Sequence, residues 1–344
     1  MAAKWPGAYL AHITDTPKMT INSPETKNAP VVLQLGSLPA VLENGLNEQF
    51  NCHRLDDHSD PEALLAKWGP ECKAIVARGS IGVDATLMSR LPNLQIIGNF
   101  GVGYEKVDLA AAAAHNVVVT NTPDVLTECV ADLAFGLLID VGREISTSGR
   151  FIRAKKWPEQ SVYRLTSSIH KKRLGIIGLG RIGQAIARRS EGFQMEMRYH
   201  NRTPVAGLEA NYEASILKLA EWADYLVVAV VGGKGTDGLV SAEVIEALGP
   251  RGYLINIARG TVVDEIALRK ALIEKRIAGA ALDVFANEPN VPHDLLELDN
   301  VVLTPHIASA TKETREEMGN LVLQNLLSFF ATGTALTPVP LKTA

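Results

Sequence analysis

Cysteine is scarce in this chain: 344 residues hold three, Cys52, Cys72 and Cys129, widely separated and without C-x-x-C spacing. That excludes a disulfide framework and a thiolate metal site as organising features, so no metal is expected and a reducing cytoplasm is the expected location. No run approaches the roughly 18 apolar residues of a membrane helix, and the N-terminus lacks the apolar block of a signal peptide. Excess positive charge is absent too. The formal net charge of −4 argues against nucleic acid or an acidic membrane surface as partner, and the short "KKR" at 171–173 reads as a solvated helix end or strand entry. No internal repeat and no low-complexity segment occurs.

What is present is ordinary globular material, 47% hydrophobic and 21% charged, in a chain long enough for two cores. Residues 1–30 read as an N-terminal extension of low structural content. From residue 31 short β-branched runs alternate with amphipathic stretches: "VVLQLG", "NCHRLD", "KAIVARG" and "LQIIGNF" are each followed by a helical pattern. A second series begins near "VVVTNTP", passes through a long helical stretch from about Asp124 to Arg150, and continues through "RLGIIG", "MEMRYHN", "YLVVAV", "YLINIAR", "AGAALDV" and "NVVLTP". Such alternation builds parallel sheets from βαβ units. The last amphipathic stretch, "TKETREEMGNLVLQNLLSFFAT", has no strand after it and is expected to pack back on the first domain, leaving the second as an insertion.

"RLGIIGLGRIGQAIARR" carries Gly178, Gly180 and Gly183 in G-x-G-x-x-G spacing, after an apolar strand and at the start of a helix. The first glycine permits a tight turn, the second lets backbone approach a pyrophosphate, and the third lets helix pack on strand. The helix start supplies free N–H groups and a positive dipole end to phosphates. Residues 178–183, Gly178, Leu179, Gly180, Arg181, Ile182 and Gly183, are therefore expected to bind a dinucleotide. The fold class follows as α/β with two Rossmann-like or flavodoxin-like parallel-sheet domains. Residues 121–307 form the dinucleotide-binding domain, inserted into a substrate-binding domain made of 31–120 and 308–344.

Eighteen residues beyond Gly183, where such folds usually place an acid for the ribose, stands "NRT". Asn201 removes the repulsion an acid would exert on a 2′-phosphate, Arg202 offers a guanidinium fork and Thr203 a hydroxyl. NADP, with NADPH preferred over NADH, is the expected cofactor; the alternative makes Arg202 a solvated loop cation.

Three downstream loops, "INIARGTVVDE", "ALDVFANEP" and "LTPHIASAT", end strands of the same series, so Arg259, Asp283, Glu288 and His306 are expected to converge at the ligand crevice. His306 can supply a proton near neutral pH, Glu288 can orient the ring, and Arg259 can grip a carboxylate and a carbonyl oxygen together. Taken singly, His306 reads rather as a satisfied loop residue and Glu288 or Arg259 as a surface charge; together with the glycine loop they read as a site.

With "GLGRIG", "NIARG", "ALDVFANEP" and "TPHIAS" in that order, the chain resembles the D-isomer-specific 2-hydroxyacid dehydrogenases over residues 31–335. The resemblance implies a catalytic Arg, Glu and His at Arg259, Glu288 and His306, and an Asp283 that bonds the nicotinamide carboxamide. "NFGVGYEKVD" looks like the family loop whose Val102 and Gly103 amides bind a substrate carboxylate, "ARGSIGVD" like the neighbouring loop with Arg78, and "NTPDVLTECVADLAFGLLI" like the hinge helix with Thr127 near the nicotinamide. "GVG" as a mere turn and Thr127 as a surface hydroxyl are the alternatives. The nearest branch is that of NADPH-linked glyoxylate/hydroxypyruvate reductases and 2-ketogluconate reductases. It implies reduction of a small 2-keto acid to the D-2-hydroxy acid, with His306 as proton donor. A dinucleotide-sensing binding protein is the alternative of another class. "AVVGGKGTDGLV" departs from the commoner Pro-Leu-Thr pattern beside the cofactor. The family also implies a homodimer formed through the long helix and an arm, about residues 124–165. Trp157 lies in that arm and is expected to reach the partner's active site, with a core or surface position as the alternative.

Overall fold

A computed structural model describes residues 29–56 and 59–341; the expected N-terminal extension lies outside these except for its last two residues. The described residues divide into two compact units, Thr127–Ser309 and a second made of those within 29–126 together with 310–341. Both units are built on parallel sheets, as the alternating pattern requires. Among the described residues no helix is long and apolar enough to cross a membrane.

The discontinuous unit carries β1 (Val31–Leu35), β2 (Asn51–Arg54), β3 (Cys72–Arg78), β4 (Ile96–Phe100) and β5 (Val118–Thr120) in the order β2-β1-β3-β4-β5. This is the flavodoxin-like order. β1, β3 and β4 read as near-continuous apolar runs because both faces of a parallel sheet are covered. "VVVT", which opens the second series in the sequence, joins this first sheet: Val118 and Val119 pair with Ile96 and Ile97. The helix Lys312–Thr332 packs on the same unit, with Leu323 against Gly45 and with Val322 and Leu326 against Gly98 of β4. The segment after it is tied down by Asn325, fully buried, whose amide donates to Thr337 Oγ1, and by the Val339 amide on Val119 O.

The continuous unit carries β6 (Arg173–Ile177), β7 (Glu196–His200), β8 (Tyr225–Val228), β9 (Tyr253–Asn256), β10 (Gly279–Leu282) and β11 (Val301–Leu303), ordered β11-β10-β9-β8-β6-β7. The order reverses between β6 and β8, so the ligand crevice of this sheet lies outside their carboxyl ends. The helix Thr127–Arg143 buries Val130, Ala134, Leu137, Leu138 and Val141 at helical spacing. Its polar edge meets the helix Arg181–Glu191 through Arg189–Asp132 and Arg188–Glu128 ion pairs, each 2.6 Å.

The long helical stretch expected to reach Arg150 is two helices, Thr127–Arg143 and Ile145–Arg153. Glu144 between them is left-handed at φ +54°, a conformation an α-helix cannot contain. Polar bonds fix the break: Glu144 Oε2 accepts from Tyr163 Oη at 2.7 Å and from Arg164 Nε at 2.7 Å, and Asp140 accepts the Ser146 amide.

Candidate active site

β6 ends at Ile177 and the glycine loop begins with a residue no side chain can replace. Gly178 has φ +98°, and a Cβ there would lie 2.8 Å from the Ala229 carbonyl and from Val230 Cγ1. A Cβ on Gly183 would stand 2.1 Å from Gly178 O, so the helix sits directly on the turn. Gly180 differs. Among the described residues nothing lies within 4 Å of where its Cβ would stand, and it caps the helix Arg181–Glu191 without any side-chain bond to the first-turn N–H groups. An open backbone approach at an uncapped helix start fits a pyrophosphate. Leu179 is buried, and Arg181 is exposed at the start of the helix with half-buried Ile182 beside it.

Asn201 follows β7 and turns back on this loop: its Oδ1 accepts the Leu179 amide at 2.7 Å, one residue after Gly178 N donates to His200 O. Its own carbonyl accepts from Tyr212 Oη at 3.2 Å, and the Val205 amide donates to Tyr199 Oη at 2.7 Å. Between these anchors Arg202 and Thr203 are exposed, and Arg202 forms no ion pair among the described residues.

The loops after β9, β10 and β11 lock together through close backbone contact. A Cβ on Gly260 would lie 1.9 Å from Phe285 C, which leaves room for glycine alone. Arg259, immediately before it, has its carbonyl held by Asn256 Nδ2 at 2.9 Å and donates from Nη1 to Ala258 O at 2.7 Å. Asp283 is fully buried at the end of β10. Its Oδ1 accepts from Thr304 Oγ1 at 2.7 Å and Ile307 N at 2.8 Å, its Oδ2 accepts from Ala308 N at 2.9 Å, and its carbonyl accepts the His306 amide. The carboxylate expected to face the cofactor thus also staples the His306 loop, with acceptor capacity remaining on Oδ2. His306 is left-handed at φ +53°, and this staple surrounds it on both sides.

His306 Nδ1 lies 2.8 Å from Glu288 Oε2, and Glu288 Oε1 accepts the Phe285 amide at 3.1 Å. Burial pushes the Glu288 carboxyl up, but the His306 hydrogen bond and charge, the Phe285 amide and the nearby Arg259 guanidinium hold it below its ordinary value. A carboxylate there fixes the proton on Nδ1 and leaves Nε2 as the ring's outward nitrogen. Thr127 opens its helix two residues before Cys129, whose thiol donates to Ala308 O at 3.1 Å, so this helix start and the His306 loop are joined.

In the other unit Arg78 ends β3, exposed, and Val102 and Gly103 follow β4. Asn99, 1% exposed, donates from Nδ2 to Gly101 O at 3.0 Å and Gly103 O at 2.9 Å, while Asn121 Nδ2 holds Val102 O at 2.9 Å. With its carbonyls turned inward, the loop keeps the Val102 and Gly103 amides without an acceptor among the described residues. Gly79 N donates to Phe100 O, which ties the Arg78 loop to the same place. Thr122 Oγ1, buried beside the loop, has no partner among the described residues. Sequence reasoning passed over Asn99, Asn121 and Thr304. Their positions at strand ends, next to glycines or a functional side chain, are the only signal they carry.

Residues 135–308, half of the chain, match the family described as D-isomer specific 2-hydroxyacid dehydrogenase, NAD binding domain. The chain belongs to this family. The glyoxylate/hydroxypyruvate reductase A of Arabidopsis thaliana is 45% identical over 308 residues, covering 90% of this chain and 98% of that protein. A 2-ketogluconate reductase of Gluconobacter oxydans is 43% identical over 310 residues, covering 90% and 98%. Among solved structures, an NADPH-dependent glyoxylate/hydroxypyruvate reductase from Sinorhizobium meliloti in complex with NADP and malonate superposes with a TM-score of 0.85 at 44% identity, covering 90% of this chain and 97% of that one. This dehydrogenase is accordingly an NAD(P)-dependent oxidoreductase, and its continuous unit holds the NAD-binding domain.

Proposed function

We propose that this enzyme reduces a small 2-keto acid of the glyoxylate and hydroxypyruvate class to the D-2-hydroxy acid, with NADPH preferred over NADH. The observation that carries the reading is the convergence, at the carboxyl ends of one parallel sheet, of an open glycine loop, Arg259 and the Glu288–His306 pair. When bound, the nicotinamide supplies the hydride that the carbonyl carbon receives. His306 Nε2 gives the proton that the carbonyl oxygen takes up, and Glu288 keeps the ring oriented and supports its charged form. Arg259 draws electron density toward that oxygen and pairs with the substrate carboxylate. Val102 and Gly103 donate backbone N–H bonds to the carboxylate, and Arg78 belongs to the substrate side. Asp283, through its remaining lone pair, and Thr127 are the residues that would hold the nicotinamide carboxamide.

Neutral Asn201, already bonded to Leu179 N, and exposed Arg202 support the NADPH preference. So does the NADPH dependence of the Sinorhizobium meliloti relative. The 2-ketogluconate reductase relative favours a second reading, in which the substrate is a sugar acid. Initial rates with glyoxylate, hydroxypyruvate, pyruvate and 2-ketogluconate, each with NADPH and NADH, decide between them. Preference for glyoxylate or hydroxypyruvate with NADPH supports the first reading, and a higher kcat/KM for 2-ketogluconate supports the second.

The homodimer belongs to the same proposal. Its support is the arm after Glu144, where Ile152, Trp157, Val162 and Leu165 are exposed, the last at 98%. Phe151, Ile152, Trp157, Val162 and Tyr163 line an apolar groove of about 370 Å³ there. An apolar stretch this exposed supports a contact surface there.

A further inference from the structure

The geometry of the loop after β8, Val231 to Gly238, bears on Arg259. A Cβ built on Gly232 would lie 2.4 Å from Arg259 Cγ, 3.3 Å from Cβ and 3.6 Å from Cδ. The aliphatic stem of Arg259 therefore runs across the bare Cα of Gly232. A 2.4 Å separation is more than 1 Å inside the usual carbon–carbon contact of about 3.5–4.0 Å.

Neither backbone is free to yield. Thr236 closes the loop on itself: its hydroxyl bonds Val231 O at 2.8 Å and Gly233 O at 3.0 Å, and its amide bonds Gly233 O at 2.8 Å. Downstream, Thr261 Oγ1 donates to Asp237 at 2.7 Å and Gly238 N donates to Thr261 O at 2.8 Å, which fastens the loop to the residues just after Arg259. Upstream, Ala229 N donates to Ile177 O, and Ala229 and Val230 lie against Gly178. On the other side, Asn256 holds the Arg259 carbonyl and Gly260 is wedged on Phe285. With both main chains fixed, a methyl group at 232 is accommodated by rotating the Arg259 side chain.

We infer that Gly232 is a positioning residue for Arg259: its missing side chain forms the channel along which the arginine stem reaches the keto acid. The inference rests on the proposed role of Arg259 at the substrate. One wall of that channel, the 231–236 turn, exists because Thr236 ties its two sides together. Ala229 and Val230, just before the loop, lie against Gly178 of the dinucleotide turn, so placement of the arginine and of that turn share one rigid support. A shift of about 1 Å in a group that orients substrate costs up to about 10²-fold in rate.

The test is a double-mutant cycle. Gly232→Ala is expected to lower kcat/KM for the preferred keto acid by about 10- to 100-fold, with the NADPH dissociation constant, read by nucleotide fluorescence, changed less than about twofold. Gly235→Ala, in the same loop but with no atom within 4 Å of its Cβ, is expected to leave both unchanged. In an Arg259→Ala background, Gly232→Ala is expected to cost nothing further, because the group it displaces is gone. Should Gly232→Ala fold poorly, Thr236→Val opens the same wall and is expected to raise the keto-acid KM while leaving NADPH affinity in place. An equal penalty from Gly232→Ala in both backgrounds, a silent Gly232→Ala, or a Thr236→Val that weakens NADPH as much as keto acid overturns the inference and leaves the role of Arg259 standing. If Arg259→Ala alone retains full activity, the role of Arg259 falls, and this inference with it.

Discussion

Glu288 Oε2 stands 2.8 Å from His306 Nδ1, while the Phe285 amide holds the other oxygen of the same carboxylate at 3.1 Å. The carboxylate is thus clamped on the ring from one side, and the proton available for transfer is the one on Nε2. In the proposed mechanism keto-acid reduction takes up that proton and the reverse oxidation needs the ring without it, so the two directions are expected to have opposite pH dependences. His306→Ala is expected to lower kcat by about 10²- to 10⁴-fold, the range for loss of a general acid. Steady-state rates in both directions check this, with a solvent isotope effect to establish that the chemical step limits turnover. A loss smaller than tenfold with chemistry limiting removes His306 from the role.

Glu288 has a second, separable signature. Its carboxyl is held below its ordinary value in the fold: burial pushes it up, and the His306 bond and charge, the Phe285 amide and the Arg259 guanidinium more than offset that. A depressed folded value stabilises the fold above the ordinary carboxylate range, and the contribution is lost as pH falls through the lowered value. The melting-temperature gap between wild type and Glu288→Gln is therefore expected at neutral pH and closes on acidification. In catalysis the same substitution withdraws the charge that supports the imidazolium, so the alkaline limb of the reduction profile moves to lower pH. An unmoved profile leaves Glu288 as a structural clamp alone.

The strands of both sheets were legible because parallel strands covered on both faces are written as apolar runs between turn residues. "VVVT" stands at the junction of the two series, opening the second by pattern yet falling inside the 31–120 boundary of the first domain; its pairing with Ile96 and Ile97 depends on which edge is open, and no local residue states it. The helix expected through Arg150 breaks at Glu144 because Tyr163 and Arg164, some twenty residues on, hold the Glu144 carboxylate. At the site, the glycine spacing and the charged residues at strand ends announced themselves. Asn99 and Asn121 did not, because turning a loop's carbonyls inward leaves no periodic trace. Gly232 reads as a flexible loop residue until the Arg259 stem is seen lying across it.

The arm gives the prediction on assembly. A dimer at micromolar concentration is the expected result of light scattering or sedimentation, with the face that carries Ile152, Val162 and Leu165 covered. Trp157, 54% exposed and thus not a core residue, is expected to contribute to the partner's substrate site. Trp157→Ala should then raise the keto-acid KM without changing NADPH affinity. A monomer at that concentration removes the dimer, and a dimer whose Trp157→Ala variant keeps its KM removes the Trp157 role alone.

In the proposed reading cofactor choice turns on Asn201 and Arg202, which the structure places differently. Asn201 is engaged inward, accepting the Leu179 amide with Oδ1, whereas Arg202 is exposed and free of ion pairs among the described residues. Asp at 201 can accept the same Leu179 bond, so Asn201→Asp preserves the loop while adding a negative charge. That charge repels a 2′-phosphate and offers an acceptor to a ribose hydroxyl. Arg202→Ala removes the guanidinium alone and is expected to weaken NADPH by roughly 10- to 150-fold, the worth of a charge-assisted bond, with NADH almost untouched. The two changes together should move preference toward NADH, because one removes an attraction and the other adds a repulsion specific to the phosphate. The measurement is kcat/KM for both cofactors at saturating keto acid, at two ionic strengths. Screening weakens an interaction between exposed charges, so added salt should reduce the wild-type preference for NADPH and leave that of Arg202→Ala unchanged. If Arg202→Ala lowers both cofactors equally, or wild type favours NADH, then "NRT" is only a loop held between Tyr199 and Tyr212, and its arginine reads no phosphate.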